Sequence, residues 1–416
     1  MTGSTVRLGD ICDLITEPVR PGARPDALYL GLEHLAPGRL VRTGGARASE
    51  VRSNTSAFRP GDVLYGRLRP YLDKAVLADA AGVCTTELLV LRAKPGVESG
   101  LLAAIVHSPG FVEHAVVGTT GVQHPRTSWA HVREFEVPAF SPDQQRRIAD
   151  LLWLVQEAIG KSETLVSESQ ALKLASMRAM FTRGLRGEPQ EETEIGPMPS
   201  SWKLVPLASV REKLQYGTSA RCTYEVSDQP VLRIPNIRSQ YIDIDDLKYC
   251  RLADSEAIKY QLEDGDLIFI RTNGVLDRLG SCAVYNGYPT NALFASYLIR
   301  ARVNQESVLP HFAAAFFNSE AGNSIVSARA IAASDGKYNL NTAAIDSLLL
   351  PLPSTLGEQR EIVAMLSHLD NQIDIHRRKC AALVDAFKTL LHQLMIGKMQ
   401  IEELGSIRIQ RKPSWN

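Results

Sequence analysis

Two stretches of this 416-residue chain place arginine where it could hydrogen-bond to the edge of a nucleobase. "GDVLYGRLRPYLDK" starts at Gly61 and carries Arg67, Arg69 and Lys74, while "GDLIFIRTNGVLDR" starts at Gly265 and carries Arg271, Thr272 and Asn273. In each, Gly-Asp marks a turn, an aliphatic and aromatic run reads as a strand, and the polar residues follow directly. A guanidinium fork matches the N7 and O6 acceptors of guanine, and a carboxamide matches N7 and the amine of adenine. A scaffold held constant while its loop changes suits a reader of differing targets. The alternative is a basic loop neutralised by nearby carboxylates such as Asp62 or Asp73.

A second polar stretch occurs later in each half. "TTGVQHPRTSWAHV" from Thr119 offers Gln123 and Arg126, and "SDGKYNLNTAAI" from Ser334 offers Lys337, Tyr338 and Asn341. Hydroxyl, amide and basic side chains in these positions suit contacts to phosphate or to bases. A solvated loop would read the same way.

Catalytic motifs do not stand out. There is no G-x-x-x-x-G-K-[ST] loop, no H-E-x-x-H and no G-x-S-x-G, and "GTTGVQHP" from Gly118 is too short a match to a nucleotide-binding loop. The six cysteines are scattered without C-x-x-C spacing and read as buried thiols; His124 and His131 read as surface or satisfied core histidines. We therefore expect no catalytic residues, no cofactor and no metal on this chain. The 46 basic and 46 acidic residues cancel, which leaves room for a local basic face. No apolar run approaches the roughly 20 residues that span a bilayer, and "MTGSTVRLGDICDL" lacks a basic and then apolar leader. The expectation is a cytoplasmic protein with no membrane partner.

The elements that must position these loops come in duplicate. The two Gly-Asp phrases lie 204 positions apart (265 minus 61), "VRLGDI" resembles "VPLASV", and "VPAFSPDQQRRIADLL" resembles "LPLPSTLGEQREIVAML". A period near 200 is a whole repeated domain. After each proline block, Ser141 with Gln144 and Thr355 with Glu358 read as capping boxes that open long helices, Asp143 to Gly184 and Gly357 to Lys398. The second helix repeats Ile362, Leu366, Leu369, Ile373, His376, Cys380, Leu383, Phe387, Leu390 and Leu394 at coiled-coil spacing. The first, in the same register, weakens after Val166 through Ser169, Lys173 and Ser176.

The expected fold is α+β: two similar mixed domains separated by two long antiparallel coiled-coil helices, a pseudo-two-fold tandem repeat. The expected boundaries are 1–140 and 202–353 for the domains, 141–186 and 354–400 for the helices, 187–201 for a Gly-, Pro- and Glu-rich linker, and 401–416 for a tail.

The phrases quoted above, with "IGPMPSSWKLVPLASV" and the helix ending "LLHQLMIGK", resemble the specificity subunit of type I restriction-modification systems, the HsdS family. The resemblance extends over essentially the whole chain; it departs from the usual pattern at "SPDQQRRIADLLWL". It implies two target-recognition domains, each reading one half of a bipartite double-stranded DNA site, and a non-catalytic chain. It also implies two methyltransferase subunits bound through the central helices, restriction subunits in the full complex, S-adenosylmethionine on the methyltransferase, and ATP and Mg on the nuclease.

Overall fold

A computed structural model describes residues 4–238 and 241–396. The chain divides into two compact units, Met1–Leu165 with His376–Asn416, and Val166–Ile375. Each long helix contributes a segment to both units.

The first unit is built on a four-stranded antiparallel sheet in the order Cys12–Ile15, Leu88–Ala93, Val63–Gly66, Ala75–Leu77. The second unit repeats it as Arg211–Tyr216, Leu298–Val303, Leu267–Ile270, Cys282–Val284. Both faces of these sheets are covered. Val63 and Tyr65 face helices Ser99–Ile105 and Pro109–Val117, while Leu64 packs with Leu30 and Phe58. Leu267 and Phe269 likewise face one core, and Ile268 and Ile270 the other. Burial on two sides is why these strands read as apolar runs instead of alternating ones.

Gly-Asp precedes each central strand for a backbone reason. Gly61 and Gly265 have φ of +85° and +88°, where a Cβ is disfavoured, and a Cβ on Gly265 would also sit 2.6 Å from Gln305 Nε2.

The long helices are Pro142–Arg183 and Leu356–Met395. At the first start the capping box is complete: Ser141 N–H donates to Gln144 Oε1 at 2.9 Å and Gln144 N–H donates to Ser141 Oγ at 3.3 Å. At the second, Glu358 N–H donates to Thr355 Oγ1 at 3.4 Å, while Glu358 Oε1 accepts from Trp202 Nε1 at 3.3 Å. Residues 397–400 of the expected second helix, and the tail 401–416, lie outside the described residues.

Within the first unit, Ile148, Leu152 and Ile159 share a core with Phe387, Leu391 and Leu394, so the start of one helix pairs with the end of the other. Within the second unit, Met177 and Phe181 meet Ile362 and Leu366 in the same antiparallel sense. The buried side of the first helix passes from Lys173 to Met177 and Phe181 by steps of four, which a strict heptad register does not anticipate. Lys173 is accommodated by an ion pair with Asp370 at 2.5 Å.

The stretch expected to be a linker, 187–201, contains a β-hairpin, Gln190–Thr193 against Gly196–Pro199. It is anchored because Met198 and Trp202 enter the core of the second unit.

Candidate nucleic-acid interface

The loop after each central strand is sewn to the second polar stretch by main-chain hydrogen bonds. In the first unit Arg67 N–H donates to Glu87 O at 3.0 Å, Arg69 N–H to Pro125 O at 2.7 Å, and Thr127 N–H to Arg67 O at 3.0 Å. In the second unit Arg271 N–H donates to Tyr297 O at 3.1 Å and Leu340 N–H to Arg271 O at 2.7 Å, while Thr272 and Asn273 pair with Asn339 and Tyr338. The two polar stretches that the sequence leaves apart thus form one surface in each unit. The matching bonds make Arg67 equivalent to Arg271, Glu87 to Tyr297, and Thr127 to Leu340.

Side-chain chemistry differs between the copies. Arg69 and Gln123 have no side-chain hydrogen bond among the described residues, and Arg67 Nε is buried without a partner. Arg126 is clamped by Glu87, Nε at 3.0 Å from both carboxylate oxygens and Nη2 at 2.8 Å from Oε1; hydrogen bonding to that carboxylate holds the Arg126 pKa above its ordinary value. Lys74 donates to the Leu32 carbonyl at 2.7 Å. The carboxylates considered as neutralising partners are engaged elsewhere: Asp62 with Arg92 at 2.7 Å and Asp73 with His107 at 2.6 Å.

In the second unit Arg271 lies over the Tyr216 ring, 4.8 Å from its centroid, and donates to Ser296 O at 3.1 Å and to Leu340 O at 3.4 Å. Thr272 is buried, Asn273 Oδ1 accepts from Val275 N–H at 2.9 Å, and Tyr338 is half-buried. Lys337 pairs with Asp335 at 2.7 Å, and that hydrogen bond raises the Lys337 pKa. Asn341 caps the short helix Thr342–Asp346 by accepting from Ala344 N–H at 2.8 Å.

Below the first loop, the hydroxyls of Tyr65 and Thr127 are buried without partners, where the second copy has Phe269 and Leu340. Glu87 and Tyr297 were not anticipated from sequence. The signal lay in "TELLVLRA" beside "SYLIRARV", where they precede matched strands. Among the described residues no three His, Cys, Asp or Glu side chains gather as metal ligands would. His114 and His131 stack at 4.2 Å, each Nε2 near the other's carbonyl oxygen. No single described helix is long and apolar enough to cross a membrane.

Residues 199–384 match the type I restriction modification DNA specificity domain family. The specificity subunit of the type I restriction enzyme EcoKI from Escherichia coli K12 is 24% identical over 282 residues, which is 67% of this chain and 60% of that subunit. A putative type I MjaX specificity subunit from Methanocaldococcus jannaschii is 29% identical over 208 residues, 49% of this chain and 48% of its own length. The aligned part of this chain thus spans about half to three-fifths of those relatives. The fold is shared with the S subunit of a type I restriction-modification system from M. genitalium, TM-score 0.59 at 15% identity, covering 95% of this chain and 96% of that one. A chain from a solved type I restriction-modification complex gives 0.57 at 20% identity, covering 96% and 99%. The chain is thus similar to type I restriction-modification specificity subunits in sequence over part of its length, and it shares their fold.

Proposed function

We propose that the chain is the sequence-reading, non-catalytic subunit of a type I restriction-modification complex, each unit reading one half of a bipartite double-stranded DNA site. The observation that carries this reading is the repeated scaffold with unlike loops: equivalent main-chain bonds hold Arg67 and Arg271, while the side chains around them differ. Two copies of one domain displaying different hydrogen-bonding groups suit two different half-sites. Arg67, Arg69, Gln123 and Arg126 are the base- and phosphate-contacting candidates of the first unit; Arg271, Asn273, Lys337 and Tyr338 are those of the second. Lys74, Thr272 and Asn341 shape the loops that present them.

Methyl transfer and cleavage would belong to partner chains, with S-adenosylmethionine on the methyltransferase and ATP and Mg on the nuclease. The helices would dock two methyltransferase subunits, and Leu165 and Leu172, 39% and 57% exposed, are available for such contacts. Restriction subunits would complete the assembly. The domain boundaries 1–140 and 202–353 mark the two readers.

The test is methylome sequencing of cells that express the chain with its modification partner. A bipartite motif is expected, and substitution of Arg69 should relax one half while substitution of Arg271 relaxes the other. Methyl transfer by the purified chain alone would refute the non-catalytic assignment.

A further inference from the structure

Three non-glycine residues have positive φ among the described residues, and two of them flank a single turn: Arg69 at +51° and Asp73 at +49° bracket the 3-10 turn Pro70–Leu72. A side chain disfavours this conformation, so it persists only where the surroundings impose it. They do so at both ends. Arg69 N–H is tied to Pro125 O at 2.7 Å, Leu72 N–H to Arg69 O at 2.9 Å, Asp73 N–H to Pro70 O at 3.0 Å, and Gly38 N–H to Asp73 O at 2.8 Å. The Asp73 carboxylate is 2.6 Å from Nδ1 of His107, a buried ring whose Nε2 is 3.1 Å from Ala75 O. Helix Pro109–Val117 packs against the turn.

What this clamp presents is apolar. Tyr71 is 55% exposed and Leu72 37%, directly after Arg69, whose guanidinium is unpaired. Buried Pro70 roots the turn, whereas Tyr71 contributes little to the core. The turn at the corresponding place in the second unit, Leu276–Arg278, is flanked by ordinary φ values of −111° and −66°. The strain is therefore particular to the first unit and is not a requirement of the repeated fold.

We propose that Tyr71, with Leu72 beside it, is a wedge that stacks against a base step of the half-site read by the first unit, while Arg69 holds the adjacent phosphate or base edge. Apolar side chains set beside cations are the usual means of unstacking a step, and an aromatic ring stacks on any base. A clamped turn holds the ring ready, so little ordering accompanies binding. The inference rests on the reading of this chain as a DNA-specificity subunit.

The test uses the full complex with its modification subunits and a duplex carrying the motif found by methylome sequencing, with 2-aminopurine placed in turn at each position of the first half-site. The wild-type complex is expected to raise the probe's fluorescence at one step. Tyr71→Ala should abolish that rise and weaken binding about tenfold, whereas Tyr71→Trp should retain both. His107→Gln, which loosens the clamp from beneath, should lower affinity without changing the preferred bases. A Tyr71→Ala complex that binds and unstacks DNA like wild type overturns the proposal, as does one that keeps DNA affinity but loses its modification subunits. Should the wild type yield no bipartite motif, the parent reading itself falls, an outcome visible before any variant is made.

Discussion

The Asp62 carboxylate accepts two hydrogen bonds from Arg92, Nε to Oδ1 and Nη2 to Oδ2, both at 2.7 Å. The second unit reproduces this between Asp266 and Arg302 at 2.7 and 2.9 Å. Each aspartate also accepts a turn N–H at 2.8 Å, from Arg59 and Glu263 respectively. The acid of the Gly-Asp phrase thus fixes the turn and ties the central strand to its neighbour.

Removing either acid should destabilise its unit. Asp266 is fully buried and Arg302 only 13% exposed, whereas Arg92 is 32% exposed. Asp266→Ala is therefore expected to cost about 3–5 kcal/mol, the range for breaking a buried pair, and Asp62→Ala less. Urea unfolding of the two variants decides this, and equal small losses would contradict it.

The orphaned hydroxyls below the first loop make a prediction of opposite sign. A buried hydroxyl without a partner costs about 1–3 kcal/mol, and the second copy carries Phe269 and Leu340 at the equivalent positions. Tyr65→Phe should leave stability unchanged or raise it by about 1 kcal/mol, measured by the urea midpoint. The Tyr65 ring itself is retained for its edge contact with Phe111 at 5.2 Å.

Much of this architecture was legible in the residues, for reasons that also show where legibility ends. Gly-Asp, the capping residues and the apolar runs act locally, so turn, helix starts and strands followed from spacing. The partner of Asp62 lies on another strand 30 residues away, and nothing local names Arg92. The hairpin at Gln190–Pro199 was hidden by its Glu-rich composition; its anchors are Met198 and, just beyond it, Trp202. At the candidate interface, the arginines could be named from type and position. Which of them stay unpaired could not, because Glu87 reaches Arg126 only after a fold of 39 residues.

The buried thiols give a pH dependence. Burial, first among the causes, pushes Cys12 and Cys84 up to about 12 and Cys250 to about 11, against an ordinary 9.0. A raised folded pKa means that the native state holds the proton more tightly. The associated stability is complete below pH 9.0 and is lost as pH rises toward the folded values, by up to about 1.4 kcal/mol per pH unit for each thiol. Unfolding midpoints measured from pH 8 to 11 should fall more steeply for wild type than for a Cys12→Ala, Cys84→Ala double variant. Parallel curves would show that these thiols do not contribute.

Lys173 lies in the weakened half of the first helix's seam, between Ser169 and Ser176 in the register, and its ion pair with Asp370 sets a final expectation. The lysine side chain is 13% exposed and the aspartate 46%, so the pair pays desolvation mainly on the lysine side. A leucine at this position would remove a largely buried ammonium and add apolar contact, while the Asp370 carboxylate left behind is 46% exposed and can be hydrated in place of the lysine. Lys173→Leu should therefore keep or raise the urea midpoint and reduce its dependence on salt. Asp370→Lys should instead set two ammonium groups together and lower stability by about 1–2 kcal/mol, and the charge reversal Lys173→Asp with Asp370→Lys should restore most of that loss. Failure of the double variant to recover would show that Lys173 serves the seam through its alkyl chain and not through its charge.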